Sequence, residues 1–333
     1  MDQGLKGRAA YISFVMLLCV CVGVPAQSPA PTQATPAKAS LTDVPKPLNP
    51  KKDQNIRVDV DLVLINVTIT DPYNRLVTGL ERENFKIFED KIEQELTHFS
   101  SEDVPISIGV IFDLSGSMNN KVDKARLAAL QFFKTANPQD EFFLVGFNDR
   151  AQLVSRFTTS VEELQTRLMY TAAKGRTALL DAVYRGLSEM RNARNAKRAL
   201  LILSDGADNH SRYNESDVRA FVKESDVQLY AVGIYEPAGS RGRSPEEMSG
   251  PALLNELTEL TGGRAFSVDN LNDLPDIAAK IGMELRNQYV LGYRPANRDR
   301  DGRWRKLKVK LQKTKGLPPL NIFAKSGYYA PKQ

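Results

Sequence analysis

The chain has 333 residues, of which 42% are hydrophobic, 8% aromatic and 26% charged. That balance allows two packed domains and excludes collagen-like and low-complexity chains. The formal net charge is +5, yet residues 284–333 hold thirteen Lys and Arg against three acids, a balance of +10 that leaves −5 for the rest. A basic end of that kind is either a solvated face or a surface for anionic partners.

In chain order, Lys6 and Arg8 precede an apolar run over residues 9–24, and Val24 and Ala26 stand at the small-residue positions of a cleavage site. This pattern predicts a secretory signal peptide over residues 1–26. The run is shorter than the roughly 20 residues that a membrane span needs. The mature chain is therefore expected to lack a transmembrane span and to be periplasmic, cell-surface or secreted. Both cysteines, Cys19 and Cys21, lie inside the run, so the exported chain would form no disulfide. Residues 27–55 are rich in Pro, Ala, Ser and Thr without apolar periodicity and read as a flexible linker.

A β pattern begins at residue 56. In "RVDVDLVLINVTITD" the apolar phase runs through Val58, Val60, Leu62 and Leu64, then shifts to Val63, Ile65, Val67 and Ile69. Such a shift predicts either a bulge or a strand buried on both faces. "FKIFEDKIEQELTHF" reads as a hairpin with "EDK" at its tip. At the far end, "NQYVLGYRP", "KLKVKLQ" and "LNIFAKSGYYA" read as strands, with Asp301-Gly302 as a hairpin turn signal after the first. In the second, Leu307, Val309 and Leu311 alternate with Lys306, Lys308 and Lys310. About fifty residues of strand make a small core alone. Residues 56–104 and 285–331 are therefore expected to close on one another as the two halves of one β-sandwich-like domain.

Residues 105–284, between those halves, alternate strand and helix. "ISIGVIF", "EFFLVGF", "RALLILS", "VQLYAVGIY" and "RAFSV" are nearly continuous apolar runs, as strands buried on both faces require. Val122, Ala125, Ala129, Phe133 and Ala136 keep a helical spacing, as do Leu179, Val183, Leu187 and Met190. The expected fold class is α/β, a doubly wound and mostly parallel sheet inserted in the β-sandwich-like domain. Residues 237–251, "PAGSRGRSPEEMSGP", read as a long loop after the fourth of these strands.

In such a sheet, ligands sit beyond the carboxyl ends of the strands. Three segments bring oxygen donors there: Asp113, Ser115 and Ser117 in "DLSGSM", Thr177 in "KGRTALLDA", and Asp205 in "LILSDGADN". Two carboxylates and three hydroxyls suit a hard cation that takes six oxygens, such as Mg2+. A helix starting at the site after Ser117 would also favour an anion there through its dipole.

"DLSGSM", the Thr of a G-x-T loop and the later "SDG" together resemble the metal-ion-dependent adhesion site of von Willebrand factor type A domains, over about residues 106–283. The flanking "TGLERENFKIFEDKIEQELTHF", "QYVLGYRP" and "GYYAP" are similar to a von Willebrand A-related family of secreted bacterial proteins, notably from acidobacteria. The resemblance implies that Asp113, Ser115, Ser117, Thr177 and Asp205 hold Mg2+, with Mn2+ or Ca2+ as alternatives. It also implies that an open coordination position takes an acidic residue of a protein partner. Asp208, Asn209 and His210 are candidates for the partner-binding rim, against the reading that they form an ordinary turn.

Other chemistries find less support. Asp113 as a phosphoryl-accepting nucleophile would need a second carboxylate two residues on, where Ser115 stands, so the chain is read as a binding protein and not an enzyme. Two histidines, His98 and His210, without an exported cysteine argue against zinc. No Gly-rich phosphate loop with a following Lys occurs. The basic end lacks a nucleic-acid recognition motif, so no nucleic-acid partner is expected. The remaining alternative is an envelope scaffold that meets an anionic surface through Lys306, Lys308 and Lys310.

Overall fold

The computed structural model describes residues 62–235, 245–312 and 318–332. The signal-peptide and linker readings lie outside the described residues.

The amino-terminal flank supplies β1 (Val63–Thr70), β2 (Phe85–Glu89), β3 (Ile92–Gln94) and β4 (Leu96–Ser100). There follow β5 (Ile106–Asp113), α1 (Val122–Phe133), β6 (Glu141–Phe147), β7 (Ala151–Thr158), α2 (Val161–Met169) and α3 (Leu179–Glu189). Next come β8 (Lys197–Ser204), α4 (Glu215–Glu224), β9 (Gln228–Ile234), α5 (Pro245–Thr261), β10 (Ala265–Val268) and α6 (Leu274–Arg286). The chain returns through β11 (Tyr289–Tyr293), β12 (Trp304–Leu311), β13 (Asn321–Ala324) and β14 (Gly327–Tyr329).

The central sheet has the order β10-β9-β8-β5-β6-β7. Every pair is parallel except β6 with β7. All eight residues of β5 are buried, because helices cover both faces. α1, α2 and α6 pack on one face around Val110, Phe112 and Leu201. α3, α4 and α5 pack on the other around Ile111, Val145 and Ile202. From β5 the chain steps outward to β6 and β7, then returns to β8 on the other side of β5. This reversal opens a crevice at the carboxyl ends of β5 and β8, the place where ligands bind in open α/β sheets.

The two flanks interleave in two antiparallel sheets, β13-β1-β11-β4 and β14-β12-β2-β3. Their shared core joins Ile65, Val67 and Ile87 from the amino-terminal flank to Tyr289, Leu291, Leu307 and Val309 from the carboxyl-terminal one. From Val63 to Val67 the register of β1 with β11 is unbroken, so no bulge falls there; Val58 and Val60 lie outside the described residues. Residues 67–70 are buried on both faces. The face away from the β-core meets the central domain, where Gln288 Nε2 donates to Thr68 Oγ1 at 3.0 Å and to Gln228 Oε1 at 2.8 Å. Gln228 opens β9, so the flanks abut the amino end of the parallel sheet and leave its carboxyl ends free.

Several local expectations change. "EDK" does close a hairpin of β2 with β3, with Asp90 and Lys91 at φ +46° and +74°, but β4 crosses to the other sheet. Asp301-Gly302 turns without making a hairpin, because β11 and β12 lie in different sheets. "LNIFAKSGYYA" is broken at Lys325-Ser326 into β13 and β14, again in different sheets. Residues 245–251, expected in a loop, begin α5 with Pro251 inside it; residues 236–244 lie outside the described residues. β7 was not anticipated. As a half-exposed edge strand, it lacks the continuous apolar run of its buried neighbours.

Candidate functional site

Asp113 ends β5 and Ser204 ends β8, facing each other across the crevice. Asp113 is fully buried. Its Oδ1 accepts the Ser115 N–H at 2.8 Å, and its Oδ2 accepts the Ser204 hydroxyl at 2.6 Å. Ser204 Oγ in turn accepts the Gly206 N–H at 3.0 Å. Asp205 is also buried. Its Oδ1 lies 3.4 Å from the Ala207 N–H, while its Oδ2 has no hydrogen-bond partner and faces the Lys121 ammonium at 3.7 Å. Ser115 Oγ and Ser117 Oγ lie 3.1 Å apart.

Backbone bonds tie the three donor-bearing segments together. Gly116 N–H donates to Gly175 O at 2.9 Å, and Lys174 N–H donates to Leu114 O at 2.8 Å. Thr177 N–H donates to Asn209 Oδ1 at 3.0 Å, and Thr177 O accepts the N–H groups of Asn209 and His210. Two glycines permit this closeness. Gly175 has φ +88°, and a Cβ there would stand 2.6 Å from Asp149 Oδ2. Gly206 has φ +78° and lies against the Gly250 backbone. The structure thus brings Asp113, Ser115, Ser117, Thr177 and Asp205 to one edge of the molecule on three interlocked segments.

The electrostatics of the pair are unfavourable as they stand. Burial, and next the charge of Asp205, push the Asp113 carboxyl up to about 7, against the hydrogen bonds from Ser115 and Ser204 that lower it. The two carboxylates are buried and repel one another, and the Lys121 ammonium faces Asp205; an unmatched buried charge is costly. An unbonded carboxylate oxygen, two like charges and an all-oxygen donor set fit a hard divalent cation. Among the described residues no three or more His, Cys, Asp or Glu come together, so hydroxyls are needed to complete any ligand set here.

The rim candidates divide. Asp208 accepts the Leu180 N–H at 3.2 Å and the Ser211 N–H at 3.1 Å, which satisfies a free donor at the start of α3. The Asn209 side chain holds Thr177. His210 is exposed, with Nδ1 3.3 Å from an Arg176 guanidinium nitrogen. The helix after Ser117 starts later than expected: a 3-10 turn over Gly116–Met118 intervenes and α1 begins at Val122. Asn119 and Asn120 favour turns over helix, so the α1 dipole acts from one turn further away. Sequence reasoning missed Ser204 and Lys121. The signal for Lys121 was a lysine at a helix start, where the dipole disfavours a cation. On the basic flank, Lys306, Lys308 and Lys310 are all exposed on β12. Among the described residues no helix is long and apolar enough to cross a membrane.

Comparison with known proteins finds the following similarities. A curated relative, an uncharacterised protein of Borreliella burgdorferi, is 26% identical over 184 residues, 49% of this chain and 54% of the relative. The chain thus spans about half the length of the curated relative it matches. A von Willebrand factor type A protein from Catenulispora acidiphila has 13% identity and a TM-score of 0.47, covering 80% of this chain and 74% of that one. The conserved hypothetical protein BatB from Bacteroides thetaiotaomicron has 16% identity and a TM-score of 0.43, covering 54% of this chain and 98% of that one. Residues 108–207, which include Asp113, Ser115, Ser117, Thr177 and Asp205, match the von Willebrand factor type A domain family. The chain carries a von Willebrand factor type A domain.

Proposed function

We propose that this protein is a binding module, exported to the cell surface or its surroundings, that captures an acidic residue of a protein partner through a divalent cation. Ser115, Ser117 and Thr177 would offer neutral hydroxyls, and Asp113 and Asp205 the compensating charge. When bound, Mg2+ would supply a Lewis-acidic position for a carboxylate; Mn2+ or Ca2+ would fit the same oxygens. The observation that carries this reading is the buried Asp113–Asp205 pair, with Asp205 Oδ2 unbonded, beside two hydroxyls 3.1 Å apart. A fold that needed only a cap or a turn would not bury two like charges there.

The chain's own residues account for the rest. Ser204 and the Ser115 N–H fix the orientation of Asp113, and the Gly116–Gly175 bond holds the hydroxyl segment against that of Thr177. The test is titration of Mg2+ into the metal-free protein by calorimetry, paired with capture of envelope proteins on immobilised chain and elution by EDTA. The double variant Ser115→Ala, Ser117→Ala should lose both while keeping its far-UV spectrum. Capture unchanged in EDTA but abolished by salt would favour instead the scaffold reading, in which Lys306, Lys308 and Lys310 meet an anionic envelope surface. Phosphatase activity lost in Asp113→Asn would favour an enzyme.

A further inference from the structure

Lys121 is buried in a position that general rules disfavour. It is the N-cap residue of α1, where a positive charge opposes the helix dipole. A buried ammonium also needs a compensating charge. Its backbone is held at both ends: its N–H donates to Met118 O at 2.8 Å and its C=O accepts the Ala125 N–H at 2.9 Å. The side chain therefore reaches inward from a fixed anchor to Asp205 Oδ2, 3.7 Å away, the oxygen that has no hydrogen bond.

We infer that Lys121 is a built-in counter-cation of the site, which supports Asp205 in the metal-free protein and lowers the affinity for a divalent ion. The inference rests on the divalent-cation reading above. The formal charges give it content. With both carboxylates ionised, as a bound divalent ion requires, Asp113 and Asp205 contribute −2, and Lys121 brings the protein's own charge there to −1. A divalent ion then makes it +1, and one partner carboxylate returns it to zero. Without Lys121 the loaded site would be formally neutral and would attract an anion less strongly. The lysine thus trades metal affinity for selectivity toward an acidic ligand.

The experiment is calorimetric titration of MgCl2 into the metal-free protein, for wild type, Lys121→Met and Lys121→Arg, with melting temperatures of each in EDTA and in saturating Mg2+. Removing a unit charge this close to a divalent ion should tighten Mg2+ binding about tenfold or more in Lys121→Met. The same variant should show a larger Mg2+-dependent rise in melting temperature, at the extreme folding only with the ion, while Lys121→Arg follows wild type. Equal or weaker Mg2+ affinity in Lys121→Met, with an equal melting shift, overturns the role of Lys121 and leaves the divalent-cation reading standing. Absence of Mg2+ binding in all three proteins overturns both.

Discussion

Replacing Ser204 by Ala removes one hydroxyl that makes two bonds at the centre of the site. Ser204 Oγ donates to Asp113 Oδ2 at 2.6 Å and accepts from the Gly206 N–H at 3.0 Å. Ser204 and Asp113 are both fully buried, so water does not readily replace either bond. A hydrogen bond to a charged group contributes about 1.5–3 kcal/mol, and an orphaned buried donor costs about 1–3 kcal/mol. The two losses are coupled, since one atom makes both bonds, so the expected destabilisation is roughly 3 kcal/mol. For a domain of this size that is a fall of about 6–12 °C in melting temperature. The assay is urea unfolding in EDTA, which keeps metal out of the comparison, read as a change in midpoint at constant slope. A second titration in Mg2+ should show weaker binding, because Asp113 has lost one of the two donors that orient it. A stability change under about 0.5 kcal/mol, of the size seen at ordinary surface positions, would refute the claim that Ser204 is the structural partner of Asp113.

Two further outcomes follow from buried groups away from the site. Lys197 begins β8 and donates to Leu285 O at the end of α6; burial lowers its ammonium to about 8 from 10.5. The unfolded chain then binds more protons between those values, so stability is greatest above pH 10.5 and falls by up to about 3 kcal/mol as pH drops through 8. Lys197→Met should flatten urea-midpoint profiles between pH 8 and 10, and an unchanged profile would show that Lys197 is not their source. Glu89 Oε2 accepts the hydroxyls of Tyr293 at 2.5 Å and Tyr328 at 2.8 Å, pinning β2 to β11 in the facing sheet and to β14 in its own. Glu89→Leu should cost about 2–4 kcal/mol by removing the acceptor of two hydroxyls, of buried Tyr293 and half-buried Tyr328; a cost below about 1 kcal/mol in chemical unfolding would dismiss this clamp.

The legible part of the fold is the part that burial writes into the chain. β5, β6, β8 and β9 are buried or nearly so, and an element buried on both faces must be apolar throughout; β10, expected to be buried likewise, is a half-exposed edge strand. α1 and α3 place Val122, Ala125, Ala129, Leu179, Val183 and Leu187 inward at the spacing the sequence shows. β7 escaped because an edge strand has little burial to announce it. The final strand was read as one because its break at Lys325-Ser326 comes from pairing with β1 on one side and β12 on the other, and no local pattern encodes two distant partners.

The same division runs through the site. Its oxygen donors stand out in sequence because their types are unusual at strand ends, and the chemistry expected of them follows from oxygen hardness and charge. The sequence by itself thus determined the buried strands of the central sheet, the apolar faces of α1 and α3, and which side chains have ligand chemistry to offer. Only the tertiary structure decided that β8 returns to the far side of β5, so that Ser204 meets Asp113 and Lys121 meets Asp205. Those contacts span 91 and 84 residues. Hydrophobic periodicity is a local consequence of burial, whereas the pairing of one charge or hydroxyl with another depends on the path of the chain between them.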